Sequence, residues 1–267
     1  MNASRIGAIV LRMFYLYRGS PQRVFPIFVF VAIDILVWGF LTRYLNSVSH
    51  ADFNFVPALL GAVLLWDFLT RVMQQITMTM FEDVWTRNFL NLFASPLSTS
   101  EYLAGLLTVA IITSGLSLIV MLALAQIAFG LSFVAYGAAL APFLMVLFVT
   151  GIALGVAASA LVLRLGPASE WLIWTIPMLI SPFAGVFYPV TVLPMWMQAV
   201  AWILPPSYVF EGMRSVVAGQ GLPWDRLAIG GALAIVYLAL ACMFFFAVYR
   251  TVIRNGLIAR YSAETVS

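Results

Sequence analysis

Long apolar runs separated by short polar stretches make up most of this chain. A helix needs about 20 apolar residues to cross a hydrocarbon core of about 30 Å. Six runs reach or approach that length and predict membrane-spanning helices at about residues 24–45, 55–81, 102–129, 139–163, 171–188 and 226–249. The pattern therefore predicts an all-α integral membrane protein in which residues 1–267 form one transmembrane domain.

The first 22 residues show an amphipathic pattern. At 100° per residue, one helix face collects the apolar residues Ile6, Ile9, Val10, Met13, Phe14 and Tyr17. Arg5 and Arg12 fall on the other face, which is typical of a helix lying in the membrane interface. The alternative is a first turn that extends the next span. Residues 19–21 (Gly-Ser-Pro) are predicted to end this helix.

The region between the fifth and sixth spans predicts two short helices. Residues 194–204 are apolar but too few to span a bilayer. Pro205-Pro206 is predicted to break this helix, and Ser207 to cap a second one that runs to about residue 217. Short helices in this position suggest re-entrant or interfacial elements.

Glycine and proline predict how two of the spans pack. Gly151, Gly155 and Ser159 recur every four residues in the fourth span, so another helix can approach closely. That helix belongs to this chain or to a second copy, and the first interpretation is favoured. Pro177 and Pro182 predict a bend in the fifth span.

Composition supports membrane insertion and sets the topology. The chain is 64% hydrophobic and 9% charged, too few charges to cover a soluble domain. All 13 basic residues are arginines. Nine lie on the side of the termini and three on the opposite side, so the positive-inside rule predicts cytoplasmic termini in a bacterial inner membrane. The nine are residues 5, 12, 18, 23, 87, 164, 250, 254 and 260, and the three are residues 43, 214 and 226.

The missing residue types exclude several functions. A P-loop needs a lysine for the β- and γ-phosphates, so this chain cannot carry a standard ATPase site. The single histidine, His50, excludes paired histidine ligands, and the single Cys242 excludes an intrachain disulfide. We expect no cofactor, metal or nucleic acid in this chain and no catalytic residues.

The segment Phe81–Tyr102, called the polar segment below, is the longest polar interruption in the chain. Ser98 and Glu101 form a capping-box pattern that starts the third span, and Pro96 disfavours helix just before it. The apolar residues of the polar segment suit binding in a groove of a partner protein. The alternative interpretation is an ordinary solvated loop. The candidate docking residues are Glu82, Asp83, Arg87, Asn88, Leu90, Asn91, Leu92, Phe93, Pro96, Leu97, Ser98 and Glu101.

Three charged residues lie inside predicted spans. Asp67 and Arg71 are four residues apart on one helix face, and Asp34 lies at similar depth on the preceding span. A charge at the bilayer centre costs at least ~2.5–3.5 kcal/mol, so we expect the three to pair. Locking two helices is the favoured role, with substrate or proton contact as the alternative.

Two stretches resemble the ABC-2 type permeases, whose fold is also called ABCG-like. One is Arg87–Tyr102 (RNFLNLFASPLSTSEY), and the other is Ser181–Gly219 (SPFAGVFYPVTVLPMWMQAVAWILPPSYVFEGMRSVVAG). The resemblance implies a coupling helix between spans two and three that docks into an ATPase chain. It also implies two copies of an ABC ATP-binding subunit, which bind ATP and Mg, and a second permease subunit, expected to make a homodimer surrounded by lipid.

The resemblance places an external gate after the fifth span. Its aromatic residues either plug the exit or anchor the chain at the interface, and the charged pair is expected to steady its helix. The gate residues are Phe187, Tyr188, Pro189, Trp196, Trp202, Tyr208, Glu211 and Arg214.

The expected function is a permease of an ATP-driven exporter for a hydrophobic drug-, toxin- or lipid-like substrate. Residues 17–21 (Tyr-Arg-Gly-Ser-Pro) resemble glycan-exporting members, but residues 22–26 depart from their pattern. Export of a polysaccharide or lipid-linked glycan is therefore the alternative. An ion-gradient carrier that uses Asp34 and Asp67, or a membrane enzyme subunit, would be a different class.

Overall fold

The computed structural model describes residues 2–48, 59–85, 95–130 and 140–255. In these ranges all regular structure is helical, with short 3₁₀ turns at Pro167–Ser169 and Val190–Val192. The α-helices in these ranges are α1 (Ala3–Gly19), α2 (Pro21–Val48), α3 (Gly61–Trp85), α4 (Thr99–Phe129), α5 (Leu140–Leu165), α6 (Leu172–Ile180), α7 (Met195–Ala201), α8 (Pro205–Val217) and α9 (Trp224–Arg254).

Four helical stretches in the described ranges are long and apolar enough to cross a membrane. They are residues Phe28–Val48 of α2 and the whole of α4, α5 and α9. These correspond to the predicted first, third, fourth and sixth spans. The all-α membrane architecture is therefore confirmed, whereas the count of six spans stays a prediction.

The other two predicted spans look different. Helix α3 has 25 residues but carries the charged residues Asp67, Arg71, Glu82 and Asp83, which lower its hydropathy. Helix α6 has only nine residues and covers about 14 Å, under half of a hydrocarbon core. The prediction of one bent helix over 171–188 is wrong, because the helix stops before Pro182 and the chain continues in turns.

The centre of the bundle depends on close contact between α3 and α5. A Cβ atom added to Gly151 would lie 2.8 Å from the Val72 side chain, and one added to Gly155 would lie 2.9 Å from Ile76. Thr77 Oγ1 also donates a hydrogen bond of 3.4 Å to the Gly155 carbonyl. The small-residue stripe therefore packs within this chain, as favoured from the sequence.

The contacts define two ends of the bundle. Successive glycines of α5 meet successive turns of α3, so the two helices are parallel, and Gly231 of α9 lies beside Val146 near the start of α5. Helix α1 packs at the end where α3 stops and α4 starts. Helix α8 packs at the opposite end, against the first turns of α5 and α9.

Two prolines begin a helix where a break was predicted. Pro205 and Pro206 occupy the first positions of α8, and Leu204 is its N-cap, so the predicted cap at Ser207 is wrong. The missing N–H of proline costs nothing in a first helical turn, and its fixed φ suits that turn. Pro21 begins α2 in the same way, directly after α1 ends.

Gly151→Val should destabilise the bundle by about 1–3 kcal/mol, because the new side chain would meet Val72 and the Leu69 carbonyl. The matched control is Gly115→Val on α4, where an added Cβ meets nothing within 4 Å. Thermal unfolding of the purified protein in detergent should show a lower midpoint for Gly151→Val than for Gly115→Val. Equal midpoints would contradict the tight α3–α5 contact.

Candidate coupling site and charge cluster

The structure describes both ends of the polar segment. Glu82 and Asp83 lie in the last turn of α3, and Pro96 and Leu97 precede the N-cap Ser98 of α4. Six of the predicted docking residues lie outside the described residues: Arg87, Asn88, Leu90, Asn91, Leu92 and Phe93.

Asp83 is the most buried charge at this end, with 2% of its side chain exposed. Its Oδ1 lies 2.6 Å from Arg12 Nη2, and its Oδ2 accepts a 2.7 Å hydrogen bond from the Tyr102 hydroxyl. A buried carboxylate is tolerated only when partners compensate for its lost hydration. Asp83 therefore joins α1, α3 and α4 at one point.

Glu101 makes a second junction. Its carboxylate accepts a 3.0 Å hydrogen bond from the Ser98 backbone N–H, and the Ser98 hydroxyl accepts from the Glu101 N–H, which confirms the predicted capping box. The same carboxylate accepts a 2.7 Å hydrogen bond from the Asn2 backbone N–H and lies 3.3 Å from Arg5 Nη1. One side chain thus caps α4 and holds the start of α1.

Helix α1 uses both of its predicted faces for contacts with the bundle. Ile9 and Met13 of the apolar face are buried. Arg5 and Arg12 of the other face contact Glu101 and Asp83, which the amphipathic pattern did not predict. Phe14 of the apolar face is exposed, as are Leu11 and Tyr15.

One signal for this arrangement was present in the sequence. Arg5 and Arg12 are seven residues apart, so they share a helix face. Asp83 and Glu101 lie near the two ends of the polar segment and are among its candidate docking residues. Pairing the two sets would have predicted that α1 packs on the polar segment.

A groove of about 290 Å³ lies between α1 and the residues just before α4. Ser95, Pro96 and Leu97 form its wall opposite α1. Its walls combine two guanidinium groups with apolar side chains: Arg5, Ala8, Ile9, Arg12, Ser95, Pro96 and Leu97.

The three intramembrane charges come together. Arg71 Nη2 lies 2.9 Å from Asp67 Oδ2 and 3.5 Å from Asp34 Oδ2, so the expected pairing of α2 with α3 is present. The exposed fractions of the side chains are 12% for Arg71, 19% for Asp67 and 43% for Asp34. Within the cluster the Arg71 side chain is therefore mostly buried, and the Asp34 side chain is partly exposed.

Glu211 and Arg214 stabilise the opposite end of the bundle. Their side chains lie 2.9 Å apart, and Glu211 Oε1 also accepts a 2.7 Å hydrogen bond from the Val190 backbone N–H. Arg214 donates to the Gly185 carbonyl. The pair thus fastens α8 to the turns that follow α6, which extends its expected role of steadying the helix.

The aromatic gate residues divide into two groups. Trp202 and Tyr208 pack on each other at 5.3 Å, and the Tyr208 hydroxyl donates to the Trp202 carbonyl. The Tyr188 hydroxyl donates to the Pro182 carbonyl, and Pro189 caps the 3₁₀ turn. Large exposed rings make up the second group, Phe187 and Trp196.

No three His, Cys, Asp or Glu side chains form a potential metal site among the described residues.

A family model described as ABC-2 type transporter matches residues 4–218, which extend from α1 to the end of α8. A search of curated proteins finds no match.

Asp83→Asn should destabilise the protein by about 3 kcal/mol, because it leaves the Arg12 guanidinium without its buried counter-charge. Arg12→Met should cost a similar amount, and the double variant should cost less than the sum of the two. Arg18→Met is the matched control, since Arg18 is exposed on the last turn of α1. Strict additivity in thermal unfolding would contradict a direct Arg12–Asp83 interaction.

Arg71→Met should lower the yield of folded protein more than Asp34→Asn. The first change leaves two carboxylates together inside the bundle, whereas the second leaves the 2.9 Å Arg71–Asp67 pair in place. Size-exclusion chromatography of fluorescent fusions in detergent measures the monodisperse fraction. The reverse order would rule out Arg71 as the centre of the cluster.

Proposed function

The chain belongs to the ABC-2 type transporter family, and we propose that it is the permease subunit of an exporter driven by a separate ATPase chain. Membership makes it a membrane component of an ABC transporter. The absence of lysine agrees with ATP and Mg binding to a partner subunit. By the distribution of arginines, we place the α1 end in the cytoplasm and the α8 end outside the inner membrane.

The observation that carries the proposal is the arrangement around Asp83. Residues 86–98 connect α3 to α4 in the sequence, and the adjoining helix ends contact α1 through Asp83 and Glu101. A force applied to this connection would therefore act on three helices together. Such a rigid junction is what coupling between a nucleotide site and a membrane pathway requires.

We propose that residues 86–97 dock into a groove of the ATPase subunit. Leu90, Leu92, Phe93 and Leu97 would supply the apolar contact, while Arg87, Asn88 and Asn91 would supply polar contacts. The α1 groove, which Pro96 and Leu97 also line, would add Arg5 and Arg12 to this surface. Two ATPase copies and a second copy of this chain complete the proposed assembly.

The α7–α8 region is proposed as the external gate. Three contacts hold α8 in place: Glu211 with the Val190 backbone, Arg214 with the Gly185 carbonyl, and Tyr208 with the Trp202 carbonyl. Phe187 and Trp196 stay exposed beside these fixed elements. Exposed aromatic rings held beside a fixed α8 suit an apolar barrier, which would open when the packed helices of the bundle move.

The proposed substrate is a hydrophobic drug-, toxin- or lipid-like molecule. Residues 22–26 depart from the pattern of the glycan-exporting members, which is the reason to prefer it over a glycan. A transport assay in vesicles that compares a lipophilic dye with a lipid-linked glycan separates the two classes.

Phe93→Asp and Leu97→Asp should uncouple ATP hydrolysis from transport, because a charge would enter the apolar contact with the ATPase. The complex of this chain with its ATPase, reconstituted in vesicles, should keep vanadate-sensitive hydrolysis. Its ATP-driven transport should fall about tenfold or more.

The control is Ile253→Asp, a matched change at an exposed position near the end of α9 and outside the polar segment. It should leave transport and hydrolysis unchanged. Normal coupling in both polar-segment variants would contradict the docking proposal, as would failure of this chain to copurify with an ABC ATPase.

A further inference from the structure

Asp34 carries a charge where the surface would otherwise face lipid. It lies near the middle of α2, about 20 Å from either end, and inside the apolar stretch Phe28–Val48. An aspartate side chain is too short to reach the interface from there, yet 43% of it is exposed. Contact with lipid would cost several kcal/mol, so this face of α2 meets water, a polar ligand or the second copy of the chain instead.

The charge balance around Asp34 is negative. Arg71 lies closer to Asp67, at 2.9 Å, than to Asp34, at 3.5 Å, and it is shared by both carboxylates. The next cation along α2 is Arg43, which binds the Ala128 carbonyl and stacks over the Phe129 ring. The cluster therefore has one more carboxylate than its single guanidinium can neutralise. Asp34 is the carboxylate on the exposed side of the cluster.

Aromatic rings lie one turn further along the same face of α2. Trp38 follows Asp34 by four residues and stacks on Phe187 at a centroid distance of 5.2 Å and an interplanar angle of 13°. The Phe187 side of this stack is exposed, at 40%. An electron-rich ring near a carboxylate is the combination that binds organic cations.

We propose that the Asp34–Trp38 face of α2 recognises the positive group of a lipophilic cationic substrate. This inference rests on the proposed export function and narrows its substrate class. The carboxylate supplies the counter-charge, and the Trp38–Phe187 stack supplies a flat apolar surface for the body of the molecule. A metal ion does not fit, because Asp34 is one carboxylate and already shares Arg71.

Two probes of almost equal size and opposite charge test the proposal, tetraphenylphosphonium and tetraphenylborate. The full-length protein is placed in nanodiscs of zwitterionic lipid, and binding is measured by equilibrium dialysis against empty nanodiscs. Asp34→Asn should bind the phosphonium about tenfold more weakly than the wild type, the size of one partly desolvated cation contact. Binding of the borate should not weaken.

Three further variants identify the cause. Asp34→Glu keeps the charge and should retain phosphonium binding, while Trp38→Leu should weaken it. Asp225→Asn is the matched control, since it removes one exposed negative charge at the start of α9. Unchanged phosphonium binding in Asp34→Asn, or equal weakening in Asp225→Asn, would overturn the proposal.

The outcome is independent of the ATPase, because no nucleotide or partner is needed for dialysis. Loss of transport coupling would count against the export function and leave the binding result standing. If Asp34→Asn fails to fold, Trp38→Leu decides: weaker phosphonium binding supports the proposal, and wild-type binding overturns it.

Discussion

A buried carboxylate must be matched by donors that the fold brings to it, and Asp83 imposes this demand at the α1 end of the bundle. Its two oxygens are satisfied from two directions, by Arg12 of α1 and by Tyr102 of α4. Each partner belongs to a different helix, so none of the three helices can move away without leaving a charge or a hydroxyl uncompensated in an apolar setting. The energetic penalty keeps the three helices together, and Glu101 adds a second tie a short distance away.

The remaining helices of the bundle extend away from this junction at Asp83. From it, α3 runs back through the bundle against the glycine stripe of α5, where Leu69, Val72 and Ile76 pack too closely for a Cβ on α5. Helix α5 in turn packs on α9 and α8. Close-packed helices thus connect the α1 end of the bundle to the α8 end, where Glu211 and Arg214 fix the turns around the exposed aromatic rings.

Sequence reasoning predicted the features that depend on local pattern. Apolar runs located α2, α4, α5 and α9, and the Ser98–Glu101 spacing located the start of α4. Asp67 and Arg71 were paired because helix geometry fixes positions four apart. In each case the interacting residues are close in the sequence or are constrained by the bilayer.

The features that sequence reasoning missed depend on long-range contacts. Hydropathy placed Arg5 and Arg12 on the face of α1 opposite its apolar residues and gave no partner for them, whereas they contact two acids about 70 and 100 residues away. The start of α8 was missed for another reason, since Pro205 and Pro206 can either break a helix or begin one. Here α7 ends at Ala201, and the prolines begin the next helix.

The proposed coupling requires α1 and the residues just before α4 to move together during the ATP cycle. Cysteines at Ala8 and Leu97, which line the same groove, can be joined by a short thiol cross-linker in a Cys242→Ala background. We expect the cross-linked complex to keep the ATP-driven transport of the untreated double-cysteine protein. Loss of transport on cross-linking would show that α1 must move relative to the polar segment, and would contradict the proposed coupling.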